Sequence, residues 1–244
     1  MLLQLGKQPR KTTALTVQGF DYGTSADKQF RQLREQVAPL LEELNYKQVV
    51  LKISRVSGGH HSWALQLAAA GFLLSDRFRR GFFASDYNWE QDMVAFPWGL
   101  NHVTNRYLRG KNFHLAGLCE DRTRAMKART VAHHPTAIKA VSFCKRGEFR
   151  PKNCGTCKKC LRTKAMFAAV DERPDIFVNG SYEEPFAKSI DLSNKIERAF
   201  FIDLCQMARE NGNLDQIPEM KAMFGKLKRQ HSGLSMLFNR IMRR

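Results

Sequence analysis

Four of the six cysteines in this chain, Cys144, Cys154, Cys157 and Cys160, stand in the pattern C-x9-C-x2-C-x2-C within FCKRGEFRPKNCGTCKKCLRTKAMF. No other feature constrains the fold as strongly. Each C-x2-C step makes a tight turn that points two sulfurs at one centre, so four thiolates delivered this way close a tetrahedral Zn2+ shell. Gly147 and Gly155 suit those turns. Lys145, Arg146, Lys152, Lys158, Lys159 and Arg162 surround the cluster, where cationic side chains offset the net negative charge of a four-thiolate zinc centre and lower the thiol pKa values. Only Cys119 and Cys205 lie elsewhere, so unrelated buried cysteines explain the pattern poorly. A redox C-x2-C pair would use two sulfurs and leave Cys144 and the remaining step without a role. An iron–sulfur cluster takes the same ligands, and spacing alone does not separate it from zinc.

This reading requires reduced thiols. The sequence holds no apolar run near the ~20 residues that a membrane span needs, and no signal peptide. The chain is therefore expected in the cytoplasm, where a cysteine cluster points to metal rather than to disulfides. Its 40 Lys+Arg against 23 Asp+Glu give a net charge of +17. Such an excess suits polyanionic partners: nucleic acid, nucleotide phosphates or an acidic membrane face. A solvated basic surface that only aids solubility is the plainer alternative.

The rest of the chain alternates strand and helix signals. Thr13 to Gly19 is an apolar, β-branched run that ends in Gly19-Phe20-Asp21-Tyr22-Gly23, a strand entering a loop. Asp27 to Leu44 has helical spacing, with Pro39 expected to kink or split it. Gln48 to Ile53 reads as a second strand, Trp63 to Leu74 as an Ala/Leu-rich helix, and Arg80 to Asp86 and Asn112 to Leu118 as two more strands. Strands separated by helices predict a parallel sheet with right-handed crossovers, whose ligands gather at the carboxyl ends. Asp21, Tyr22, Asp86 and Tyr87 would sit there. Thr123 to Thr130 is a helix presenting Arg124 and Lys127, and Leu161 to Val170 a helix springing from the knuckle. Asp191 to Asn211 is a helix with Asp191 or Ser193 as its cap. From Pro218 onward, apolar residues alternate with Lys and Arg. That pattern fits a helix packed on its own domain or one laid on a nucleic-acid or membrane surface.

Taken together, these residues resemble the ATP-pyrophosphatase group of adenine-nucleotide α-hydrolase-like proteins, in its 7-cyano-7-deazaguanine synthase-like branch. The resemblance rests on Cys144, Cys154, Gly155, Cys157, Cys160, Leu161 and Arg162, which match that branch's C-x8-10-C-G-x-C-x2-C motif followed by LR. The run Phe20-Asp21-Tyr22-Gly23 is similar to the family's second-strand FDYG, and Pro97-Trp98-Gly99 adds support. What the resemblance implies is a Rossmann-like fold and an enzyme that adenylates a carboxylate or amide oxygen with ATP and Mg2+, releases pyrophosphate and lets a nitrogen or sulfur nucleophile displace AMP. Zinc would shape the substrate pocket or hold the structure. Phe20, Asp21 and Tyr22 would lie near the nucleotide, and Arg124 and Lys127 would bind anions.

Chemistry of this type also needs an S-G-G-x-D-S loop after the first strand, ahead of FDYG, to hold pyrophosphate. Met1 to Thr12 contains none. The expectation is that Met1 is an internal methionine, with the first strand, that loop and most of helix one upstream. Finding the loop in frame upstream would support this, and an in-frame stop codon immediately upstream would sink it. Ser57, Gly58 and Gly59, followed by His60-His61-Ser62, form a second phosphate-loop candidate before the Trp63 helix, with His61 where the family has Asp. A plain strand-to-helix turn fits the same residues.

The expected fold is thus α/β, a parallel sheet with flanking helices of the Rossmann-like ATP-pyrophosphatase type, with a zinc knuckle and a helical C-terminal extension. Its expected parts are residues 1–143, 144–170 and 171–244. The expected function is ATP-dependent adenylation or amidation of a small acid. The alternative is a non-catalytic, zinc-stabilised basic module that binds nucleic acid. A homo-oligomer is compatible with either.

Overall fold

The computed structural model describes residues 1–10, 12–54, 62–95, 99–182 and 190–230. A short helix α1 (Leu2–Leu5) leads into strand β1 (Thr12–Gln18), helix α2 (Asp27–Glu43) and strand β2 (Tyr46–Lys52). Helix α3 (Trp63–Phe72), strand β3 (Arg80–Ala84), helices α4 (Trp89–Ala95) and α5 (His102–Asn105) and strand β4 (His114–Leu118) follow. The remainder is helical: α6 (Arg124–Ala132), α7 (Pro135–Ala140), α8 (Lys158–Ala169), α9 (Lys195–Glu210) and α10 (Pro218–Gln230).

The expected α/β alternation is present, and both strand ladders are parallel. β1 pairs with β2 from Thr12↔Tyr46 to Gln18↔Lys52, and β3 with β4 from Arg80↔His114 to Ala84↔Leu118. The four strands do not form the single sheet expected. Among the described residues they make two separate two-stranded sheets.

Of the two effects expected of Pro39, a kink or a split, the split is absent: Pro39 lies inside one continuous helix α2. The lost N–H would have bonded the Glu35 carbonyl, and both residues are exposed, on the solvent side of the helix. On the opposite face Leu40 and Leu41 are buried with Leu44, Tyr46, Ala137 and Ala140, which holds the helix together across the proline.

The largest core lies among α6, α8, α9 and α10, where Ala125, Phe167, Phe201, Leu204 and Met220 are nearly or fully buried. In α10, Met220 and Met223 belong to this core and Phe224 packs on it, so the apolar stripe there docks onto the chain's own helices. Residues 231–244 lie outside the described residues. Asn194 caps α9, accepting from the N–H groups of Ile196 and Glu197. The expected caps Asp191 and Ser193 instead bond each other just upstream, with the Ser193 hydroxyl donating to Asp191 at 2.6 Å. No helix among the described residues is long and apolar enough to cross a membrane.

Candidate metal centre

The four sulfurs of Cys144, Cys154, Cys157 and Cys160 all lie within 4.8 Å of one another. Zinc–sulfur bonds of about 2.3 Å in a tetrahedron place sulfurs about 3.8 Å apart. The separations are 4.0 Å for Cys144–Cys157, 3.8 Å for Cys154–Cys160 and 3.5 Å for Cys157–Cys160. All four are free thiols, far beyond disulfide distance. The donor set therefore fits a metal such as Zn2+.

Local geometry explains how the sequence brings these sulfurs together. Gly155 adopts φ 85°, and a Cβ there would meet the Asn179 carbonyl oxygen at 1.6 Å, so only glycine fits the turn between Cys154 and Cys157. The segment after α8 returns to close the knuckle: Val178 N–H donates to the Asn153 carbonyl at 2.8 Å and Asn179 N–H to the Cys154 carbonyl at 3.1 Å. Asn153 is itself buried, accepting from Phe143 N–H and donating to the Val141 carbonyl. This amide fixes the approach of Cys144. Cys157 is the N-cap of α8, which starts three residues earlier than the sequence pattern suggested and carries Cys160 in its first turn. A helix N-terminus favours the thiolate form.

In the metal-free chain the sulfurs are unlike one another. Burial pushes the Cys154 thiol up, but N–H donation from Thr156 and Cys157, with help from the Cys144 and Thr156 side chains, brings it down to about 6. Burial drives Cys160 well above its ordinary value and raises Cys144. A cation at the centre would compensate that burial cost by converting all four to thiolates.

The carboxyl ends of β1 and β3 reach this centre by separate routes. Arg150, within the knuckle, donates to the Cys144 carbonyl at 2.8 Å and also to the Asp21 carbonyl, with its guanidinium 5.4 Å from the Tyr22 ring centroid. The Tyr22 hydroxyl and Ser142 Oγ are 3.0 Å apart. Phe20 packs on Trp63 at the start of α3, with ring centroids 5.0 Å apart. Gly19 lets this turn close, because a Cβ at its φ of 118° would meet the Ile53 carbonyl oxygen at 2.1 Å.

At the end of β3, Arg124 donates to Asp86 Oδ1 at 3.0 Å and to the Asp86 carbonyl at 3.1 Å, and Lys127 donates to the Ser85 carbonyl at 2.8 Å. Arg124 and Arg162 both lie over the Phe200 ring, at 4.8 and 5.5 Å. Burial lowers the Arg162 pKa, and the Arg124 charge lowers it further. The buried Arg162 Nε has no hydrogen-bond partner among the described residues.

The structure thus brings the four cysteines to one point, ties Asp21 and Tyr22 to the knuckle through Arg150, leaves Phe20 packed on Trp63, and gathers Arg124 and Lys127 at the end of β3. Ser57, Gly58 and Gly59 lie outside the described residues, as do Pro97 and Trp98. Asp92 is buried and accepts from His102 N–H at 3.0 Å, so it anchors the start of α5. Arg150, Ser142 and Asn153 join the site without having been singled out as binding residues. Arg150 meets Asp21 across 129 residues and Ser142 meets Tyr22 across 120, separations that local pattern does not reveal.

Neither a family model, nor a curated protein, nor a solved structure matches the chain.

Proposed function

We propose that this chain is a zinc-centred α/β protein that takes a nucleotide at the carboxyl ends of β1 and β3 and supports adenylating chemistry of the 7-cyano-7-deazaguanine synthase-like type on a small acid. The observation that carries this reading is the arrangement of α8. Cys157 and Cys160 at its start belong to the metal centre, while Arg162, one turn along its course, joins Arg124 over Phe200 beside Asp86. A metal knuckle and a cationic corner are therefore held in fixed relation on one helix. Zinc, held by Cys144, Cys154, Cys157 and Cys160, would supply rigidity and orient this helix. Arg124, Arg162 and Lys127 would face the phosphates or the acid, with Asp86 exchanging its bond to Arg124 for the incoming anion or for Mg2+.

The test has two parts. Metal analysis of the purified chain should give about one zinc per chain, and titration with MgATP, AMP-PNP and AMP should show saturable binding that Arg162→Ala weakens about tenfold or more, the scale of one lost charge-assisted hydrogen bond. A zinc-loaded chain that binds no adenine nucleotide would sink the proposal. The net charge of +17 favours one further reading, a basic zinc module on nucleic acid. Its mark would be RNA or DNA affinity that falls steeply with salt and is unmoved by nucleotide.

A further inference from the structure

Two edges of main chain face one cavity between the separate sheets. In a parallel ladder alternate residues bond one neighbour and the others point away from it. Thr12 N–H donates to the Asn45 carbonyl at 3.2 Å and Ile53 N–H to the Gln18 carbonyl at 3.0 Å. With the observed register, these bonds turn Thr12, Ala14, Thr16 and Gln18 toward β2 and leave the N–H and C=O groups of Thr13, Leu15 and Val17 pointing away. On β3, His114 N–H donates to the Arg79 carbonyl at 3.1 Å and Ser85 N–H to the Leu118 carbonyl at 2.9 Å, so Gly81 and Phe83 face β4. Arg80, Phe82 and Ala84 point away.

All six outward-pointing residues line the same cavity of about 530 Å3, as do Thr12, Ala14, Thr16, Gly81 and Phe83 of the same strands. Its remaining wall is largely apolar, with Val37 and Leu41 from α2, Leu67 from α3 and Leu74 just beyond it. Both edges end on the same side of it, since Asp21 and Tyr22 after β1 and Ser85 and Asp86 after β3 are all tied to residues of the 124–150 stretch. The sequence of β1, TTALTVQ, is that of a strand covered on both faces, yet Thr13 to Val17 are only half-buried. Phe82 remains 38% exposed.

We propose that this cavity is a strand-acceptor slot: an extended apolar segment of a partner polypeptide inserts between β1 and β3 parallel to both. It would join the order β2-β1 to β3-β4 as one five-stranded sheet. A compact apolar molecule would fill the volume but leave both rows of main-chain groups without partners, each costing about 1–3 kcal/mol when buried. A strand satisfies both rows at once, as in β-augmentation of an open edge. Because helices α2 and α3 both wall the cavity, the segment should carry Val, Ile, Ala or Thr on both faces.

The test is hydrogen exchange by NMR on the zinc-loaded chain, alone and with a capped heptapeptide of Val, Ile, Ala and Thr flanked by glutamates. Saturable binding should slow exchange at Thr13, Leu15, Val17, Arg80, Phe82 and Ala84 by about tenfold or more. The same peptide N-methylated at alternate positions keeps its side chains but loses donors, and should bind at least about tenfold more weakly. The proposal is overturned if neither peptide binds, if the two bind alike, or if those six amides are already as protected without peptide as Ala14 and Phe83. A dimer of the chain that protects them by itself overturns it as well. None of these outcomes depends on nucleotide binding.

Discussion

At Gly155 the metal centre tolerates no added atom. Gly155→Ala places a methyl group against the Asn179 carbonyl in a left-handed backbone conformation, and should destabilise the zinc-loaded chain by about 2 kcal/mol or more in urea unfolding. Cys157→Ser removes both a ligand and the sulfur at the N-cap of α8. Metal content should fall to a small fraction of the parent's, with several kcal/mol of stability lost, and a variant that kept both would contradict the zinc assignment. Asp203 offers a pH test away from the metal. Burial is the main cause of its pKa, raised to about 6, and outweighs N–H donation from Ala125. Because the folded value exceeds the unfolded 3.8, its contribution is fully present below about pH 4 and is lost as pH rises through about 6. Asp203→Asn should therefore gain on the parent between those limits, by about 1–3 kcal/mol at pH 7.5 and by almost nothing at pH 4. The convergence of the four cysteines was legible in the sequence because their spacing points to a shared centre. Arg150 and Asn153 were not legible as supports, because a guanidinium or an amide gives no sign in sequence of the carbonyl it will meet.

Elements were legible where side-chain period and burial agree. The four strands and helices α2 and α3 fall close to where alternation and apolar spacing put them, whereas α4 and α5, between β3 and β4, were not expected. The start of α8 was not expected either, since Lys158 and Lys159 look like knuckle rather than helix until Cys157 is seen to cap it. Pro39 does not split α2 although a proline is costly in a helix, because packing by Leu40 and Leu41 offsets that cost. Pro39→Ala restores the missing N–H toward the Glu35 carbonyl and should raise stability by about 1–2 kcal/mol, the helix gain less the added freedom of the unfolded chain. Thermal unfolding followed by circular dichroism would check it.

For the whole molecule, the sequence conveyed parallel strands but not their division into two ladders. Side-chain pattern records that a strand is covered, and the pattern of β1 is the same whether its second neighbour is present or not. Metal removal is the test at this scale. Chelation should lower the midpoint of the α6, α8, α9 and α10 core along with the knuckle, in one transition, because Phe167 and Ala169 of α8 are buried in that core. Helix α8 has 12 residues and so runs about 18 Å. One end carries Cys157 and Cys160 and the other is wedged among Phe201, Leu204 and Met220. An oxidant or a competing chelator acting at the rim would thus be felt as slackening in the deepest part of the protein, and the lifetime of the chain in a cell would track how much metal that cell has to spare.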